Sequence, residues 1–200
     1  MVTAIMIKVA ELMVPIEKAM SFFKKPEALI NQYDVNAVRA HIQDGDFLFE
    51  RCDWMLSNWF IPGPYKHIAL YWNDMVYEAV TTGVRAITLE EWLFKKDHVA
   101  IGRQAFFEPT ESAMLRGQKF LLKHAYSREK YQYDFIIPST IRRPFSKRWH
   151  AWFCSEFVYG WCMACCPDFD HRCPLPRVMG QMKMTPDDFW NRIIPVMTIN

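Results

Sequence analysis

A histidine and a glutamate on two neighbouring segments have the spacing of partners on a β-hairpin. Residues 67–72 and 75–80 are rich in strand-forming side chains, and Asn73-Asp74 between them is a two-residue turn pattern. This hairpin makes His67 and Glu78 diagonal neighbours on one face, with backbones roughly 7–8 Å apart. A carboxylate at that distance can hold an imidazole in one tautomer and stabilise its protonated form, as the third member of a catalytic triad does. An ordinary structural His–Glu pair is the alternative.

Cys154 is the nucleophile that such a pair would need. It begins a run without a breaker except Gly160, which predicts a buried helix over Phe153–Cys166 that Pro167 ends. Partial positive charge at a helix N-terminus stabilises a thiolate. The free backbone N–H groups of the first turn, including that of Cys154, can also receive an oxyanion. The alternative is that Cys154 is only a small buried hydrophobe.

A second group of thiols follows Cys154 and favours a different site. Five of the six cysteines lie between Cys154 and Cys173, which indicates reduced thiols or a metal site more than a disulfide framework. We therefore expect a cytoplasmic or other reducing compartment. A structural zinc site is the competing interpretation, and its ligands would be Cys162, Cys165, His171 and Cys173. Two of these cysteines continue the helix that begins near Cys154, and the set lacks two well-separated ligand pairs, which disfavours zinc.

The elements around these residues alternate between strands and helices. Further strands are predicted at Phe47–Glu50, Gly83–Ile87 and His98–Ile101. Further helices are predicted from an Asp34 N-cap to His41, over Leu89–Phe94 after a Thr88 cap, over Thr110–Tyr126, and from Pro186 after a Thr185 cap.

The N-terminal segment has its own pattern. Apolar residues recur at helical spacing between Thr3 and Phe23, and Pro15 should kink this helix or start a second one. We expect residues 1–33 to form an amphipathic extension that packs on the core or forms an oligomer or partner contact. The remaining domain is expected to span residues 34–200. A membrane-surface helix is less favoured, because lysines and glutamates both interrupt the apolar run.

Composition excludes several classes of protein. A hydrophobic fraction of 51% and an aromatic fraction of 16% are typical of a globular chain. A net charge of +2 gives no reason to expect nucleic acid as a partner. The first residues lack the basic region and clean apolar core of a signal peptide, and their charges interrupt any run of about 20 apolar residues that could span a membrane.

Four segments together resemble the permuted branch of the NlpC-type cysteine peptidases, the YiiX/YebB-like proteins. They are Gly45-Asp46 opening a strand, His67-Ile-Ala-Leu-Tyr, Tyr77-Glu78-Ala79-Val80 followed by Gly83-Val84, and Cys154-Ser-Glu-Phe-Val-Tyr. Thr185-Pro186-Asp187-Asp188 is similar to the segment that closes members of this group. Each motif is short, but their order and spacing are fairly specific. The resemblance runs from about Asp44 to about Phe189.

The resemblance implies a circularly permuted, papain-like α+β fold in which an antiparallel sheet packs against a helix that carries the nucleophile. It implies Cys154 as nucleophile, His67 as base and Glu78 as orienting acid, with no metal or cofactor. The expected activity is cleavage of an amide bond, with a peptide such as that of peptidoglycan as substrate, or of an acyl ester or thioester, with an acyl-lipid substrate. The N-terminal extension and the thiol cluster are not part of the family's motifs. A non-catalytic interaction protein on the same scaffold, or a zinc-binding module, is the alternative function.

Overall fold

The computed structural model describes residues 30–51, 63–80, 83–105, 108–125, 154–169, 177–178, 181–182 and 186–199. The helix predicted between Thr3 and Phe23 lies outside the described residues.

An antiparallel sheet of six strands forms the centre of the described structure. Its strands are β1 (Phe47–Arg51), β2 (His67–Trp72), β3 (Met75–Val80), β4 (Gly83–Thr88), β5 (His98–Arg103) and β8 (Ile194–Ile199). They lie in the order β4-β3-β2-β1-β5-β8. Two very short strands, β6 (Arg177–Val178) and β7 (Gln181–Met182), pair separately.

Helices cover both faces of this sheet. They are α1 (Gln32–His41), α2 (Leu89–Leu93), α3 (Glu111–Ala125), α4 (Cys154–Cys165) and α5 (Pro186–Trp190). This architecture confirms the predicted α+β fold with an antiparallel sheet packed against the Cys154 helix. In the parts of the chain that the structure describes, no helix is both long and apolar enough to cross a bilayer.

The β2–β3 hairpin has the predicted turn and register. Trp72 pairs with Met75, and both turn residues, Asn73 and Asp74, have positive φ values of 51° and 58°. Positive φ at both central positions defines the type I′ turn, whose twist matches that of the strands it joins. A side-chain oxygen of Asp44 also accepts a hydrogen bond from the Asn73 amide at 2.6 Å. The turn therefore fixes which residues of the two strands are neighbours.

The first described helix begins three residues earlier than predicted. Its N-cap is Asn31, whose side chain accepts the amide of Tyr33 at 2.8 Å, and Asp34 bonds back to the Asn31 amide at 2.9 Å. The prediction of Asp34 as N-cap is therefore wrong, because Asp34 is the third helical residue of a reciprocal capping box. The helix also crosses the expected boundary between residues 33 and 34.

Strand β8 was not predicted. Pro195 lies within it, and proline is tolerated in a sheet only where its missing N–H is not needed, as at an edge. β8 is the last strand of the described sheet on its side, and its pairing with β5 shifts register between Ile101 and Gly102.

Two hydrophobic clusters divide the core between the faces of the sheet. Alternate side chains of β2 and β3 pack against α3 and α4 on one face, and the intervening ones pack against α1 and α2 on the other. Trp161 of α4 makes edge-to-face contacts with Phe47 at 6.1 Å and with Trp72 at 6.4 Å between ring centroids. These contacts seat α4 on the sheet.

The buried carboxylate of Asp46 fixes the chain at the start of β1 through hydrogen bonds. Its side chain is 1% exposed and accepts hydrogen bonds from Arg103 at 2.8 Å and from the Gln43 amide at 2.8 Å. Its neighbour Gly45 has a φ of 91° and lies against the Trp161 ring, where a side chain would be strained. The Gly45-Asp46 motif thus has a structural role.

Replacing Asp46 with alanine should destabilise the protein by about 3 kcal/mol, because Arg103 and a backbone amide would lose their buried acceptor. Urea unfolding followed by circular dichroism measures the change. Glu91→Ala is the matched control, since Glu91 forms an exposed pair with Lys95 and should cost less than about 0.5 kcal/mol. Equal losses in the two variants would contradict the role assigned to Asp46.

Candidate active site

The side chains of His67 and Glu78 form a buried hydrogen bond. His67 Nε2 lies 2.8 Å from Glu78 Oε2, and the side chains are 11% and 1% exposed. A carboxylate can only accept, so Nε2 carries the proton and donates it. The predicted diagonal pairing on the hairpin therefore brings these two groups into direct contact.

The Cys154 side chain lies next to the His67 ring, close enough to raise the pKa of the imidazole. Because Glu78 engages Nε2, Nδ1 is the ring nitrogen left for the thiol. Cys154 lies in the first turn of α4, as predicted, and is buried at 2% exposure in the core cluster that α4 and α3 share. The three predicted site residues thus lie next to one another, with interactions from His67 to both Glu78 and Cys154.

The surroundings of His67 favour the imidazolium form. Burial alone lowers the pKa of His67, but its hydrogen bonds to Cys154 and Glu78, with their charge, outweigh burial and raise this pKa to about 10. An unfolded histidine titrates near 6.5. The contribution of His67 protonation to stability is therefore fully present below pH 6.5 and is lost as the pH rises through about 10.

Glu78 is held as a carboxylate by several donors. Oε1 accepts hydrogen bonds from Nε of Arg85 at 2.7 Å and from a second guanidinium nitrogen, and Oε2 accepts the indole N–H of Trp92 at 2.9 Å. Burial raises the pKa of Glu78, but the bond to His67 and the charges of His67, Lys96 and Arg85 lower it well below its usual range. Glu78 is thus a fully bonded buried anion.

Aromatic contacts and one close backbone approach fix the direction of α4. Phe157 packs on Phe120 of α3 at 5.6 Å between centroids. Gly117 of α3 lies so close to Trp161 and Cys165 that a side chain there would collide with both. Any residue larger than glycine at 117 would push the two helices apart. Helix α4 is consequently locked to α3 as well as to the sheet.

A short segment before β2 is fixed by α5. Asp187 Oδ1 accepts the Tyr65 amide at 3.1 Å, and the Tyr65 ring packs against Trp190 at 4.8 Å and Phe49 at 5.4 Å between centroids. Gly63 has a φ of 88°, and a Cβ there would collide with the Asp187 carboxylate. The Pro186-Asp187 segment thus holds the chain two residues before His67.

The alternative metal ligands are only partly within the described residues. Cys162 and Cys165 are buried in α4, whereas His171 and Cys173 lie outside the described residues. Burial raises the pKa of Cys165 to about 12, which favours the neutral thiol over the thiolate that zinc binds. Within the described ranges, no group of three or more His, Cys, Asp or Glu side chains could hold a metal ion.

Two residues at this site, Arg85 and Trp92, were not predicted from the sequence. Arg85 lies directly opposite Glu78 in the β3–β4 register, and a tight connection between the strands predicted at 75–80 and 83–87 would have indicated that pair. Trp92 reaches Glu78 from α2, on the other side of the sheet from Cys154. No sequence pattern indicates this contact, because it depends on how α2 packs.

Comparison with models of protein families shows which family this chain matches. Residues 41–192, about three quarters of the chain, match the model of a family described as permuted papain-like amidase enzyme, YaeF/YiiX, C92 family. His67, Glu78 and Cys154 all lie within the matched range. Neither the curated proteins nor the solved structures gave a match to this chain.

Replacing Glu78 with glutamine should lower the pKa of His67 by about 2 units, because the anion that stabilises the imidazolium is removed while burial remains. The ring would then lose its proton well below pH 10. An NMR titration of the His67 ring protons measures this shift. Glu91→Gln, an exposed carboxylate paired with Lys95, should leave the titration unchanged, and an unchanged titration in Glu78→Gln would refute the electrostatic coupling.

Proposed function

Because the chain belongs to the C92 family of permuted papain-like amidases, we propose that it is a cysteine hydrolase with Cys154 as nucleophile, His67 as base and Glu78 as orienting acid. The bond that it cleaves is proposed to be an amide. The covalent intermediate would be an acyl-enzyme on Cys154.

One observation carries this proposal: a buried imidazole is hydrogen-bonded to the Glu78 carboxylate and lies next to the Cys154 thiol. A nucleophile next to a base, with the base oriented by a third group, is the general arrangement of covalent hydrolases. A purely structural cysteine requires no such partner.

The charge state of the pair supports a thiolate mechanism. His67, with its pKa raised to about 10, is protonated at neutral pH. An imidazolium next to a thiol stabilises the thiolate, which is the reactive form of cysteine. The position of Cys154 at the first turn of α4 adds the partial positive charge of a helix N-terminus.

The reaction would proceed in two stages. The Cys154 thiolate attacks the carbonyl carbon, and the backbone N–H of Cys154, unpaired within α4 by its position, stabilises the oxyanion. The His67 imidazolium gives its proton to the leaving amine, and the C–N bond breaks. Neutral His67 then takes a proton from water, whose oxygen attacks the acyl-thioester; the C–S bond breaks, the acid is released, and the Cys154 thiolate and His67 imidazolium are restored.

The proposed substrates are peptides, with those of peptidoglycan as one candidate. An acyl ester or thioester, as in an acyl lipid, is the second candidate, because the same nucleophile and the same proton donor would serve. Peptide amides and acyl esters tested side by side with the wild type and Cys154→Ala would identify the bond, since only a reaction that Cys154→Ala abolishes belongs to this site.

Alkylation of Cys154 by iodoacetamide tests the activated pair without a known substrate. At pH 6.5, well below the usual pKa of a cysteine of about 8.5, one thiol of the wild type should react fast, because its thiolate is stabilised. His67→Ala should slow this reaction at least about tenfold. Mass spectrometry of digested protein follows each cysteine, and His98→Ala, on the half-buried start of β5, is the matched control.

The proposal fails if Cys154 reacts as slowly as the other cysteines and does not respond to His67→Ala. The non-catalytic scaffold or the zinc module would then replace it. Metal analysis of protein purified without chelator separates these two, because a zinc module binds about one zinc per chain.

A further inference from the structure

We propose that Arg85 is a positioning residue for the proposed catalytic triad: it occupies one oxygen of Glu78 and thereby directs the other oxygen to His67. This inference rests on the proposed function, because a positioning role has meaning only if His67 and Cys154 react.

The contacts of Glu78 are divided between its two oxygens. Oε1 is bound by the guanidinium of Arg85 through two nitrogens, whereas Oε2 receives His67 Nε2 at 2.8 Å and Trp92 Nε1 at 2.9 Å. A planar guanidinium that donates hydrogen bonds from two nitrogens to one oxygen resists rotation of the carboxylate about the bond that joins it to the rest of the side chain. Oε2 therefore remains directed at His67.

The orientation of the Glu78 carboxylate determines which ring nitrogen of His67 faces the Cys154 thiol. With Nε2 donating to Oε2, Nδ1 is the atom that remains for Cys154. Without the guanidinium, only the bonds of Oε2 to His67 and Trp92 would restrain the carboxylate, and it could tilt away from the geometry that holds the imidazole. Among the described residues, Arg85 donates its hydrogen bonds to Glu78, so its effect would pass through Glu78.

A second carboxylate near His67, that of Glu50, is bound by a lysine. Glu50 lies opposite His67 in the β1–β2 register, and it forms an ion pair with Lys96 at 2.5 Å with side-chain exposures of 15% and 13%. Lys96 also lies over the Trp92 ring, 4.8 Å from its centroid. The charged and titratable groups facing Glu78 and His67 are therefore Cys154, Glu50, Arg85 and Lys96, and among the two carboxylates only Glu78 is bonded to the imidazole.

Two substitutions separate the charge of Arg85 from its shape. Arg85→Met removes both, and should lower the rate of Cys154 alkylation at pH 7 about tenfold, as expected for the loss of a charge-assisted hydrogen bond. It should also speed exchange of the His67 Nε2 proton with solvent, which NMR follows. Arg85→Lys keeps the charge without the two-nitrogen grip, and should give intermediate values of both.

Arg39→Met is the matched control, because Arg39 is an arginine of similar exposure that pairs with Asp74 and Glu90 away from this site. It should keep the wild-type rate and proton exchange, and circular dichroism confirms folding of every variant. Wild-type values in Arg85→Met, with a slowed reaction in Glu78→Gln, would overturn the role of Arg85 alone. Wild-type values in both variants, or a wild-type Cys154 no faster than the other cysteines, would overturn the proposed function as well.

Discussion

The hydrogen bond between His67 and Glu78 is the contact on which the arrangement of the site depends. It places an anion with 1% side-chain exposure beside a buried ring, and a buried charge is costly unless every lone pair finds a donor. β4 and α2 meet this requirement with Arg85 and Trp92. The sheet and its short helix therefore do more than support the hairpin, because without their donors Glu78 would tend to take up a proton and lose its charge.

The second requirement is to bring a thiol from a distant part of the chain to that ring. Helix α4 packs against the sheet through Trp161 and against α3 through the approach of Gly117. These contacts are apolar and close-packed, so they define the position of Cys154 more tightly than a loop would. In the same way, Asp187 of α5 binds the Tyr65 amide and so fixes the position of the chain just before His67.

Local patterns were enough to predict the hairpin, its turn and the helix that starts at Cys154, because each depends on residues adjacent in sequence. The prediction of Asp34 as N-cap failed because Asn31 is also a residue type that suits a cap, and only the reciprocal bonds of the capping box distinguish the two positions. β8 was missed because Pro195 breaks its pattern. The partners of Glu78 depend on register and packing across the sheet, which no local pattern records, and the roles of the three site residues remain predictions.

The last strand of the described sheet affects how readily one molecule could aggregate with another. An open edge of a sheet presents unpaired amides and carbonyls to which another chain can add a strand. Among the described residues, β8 is the last strand on its side of the sheet; Pro195 in it offers no amide and is exposed, and the register shift opposite Ile101 and Gly102 interrupts the ladder. The backbone of β8 thus disfavours the addition of another strand at this edge. The apolar residues of β8 can pack against the core without making the edge prone to aggregation.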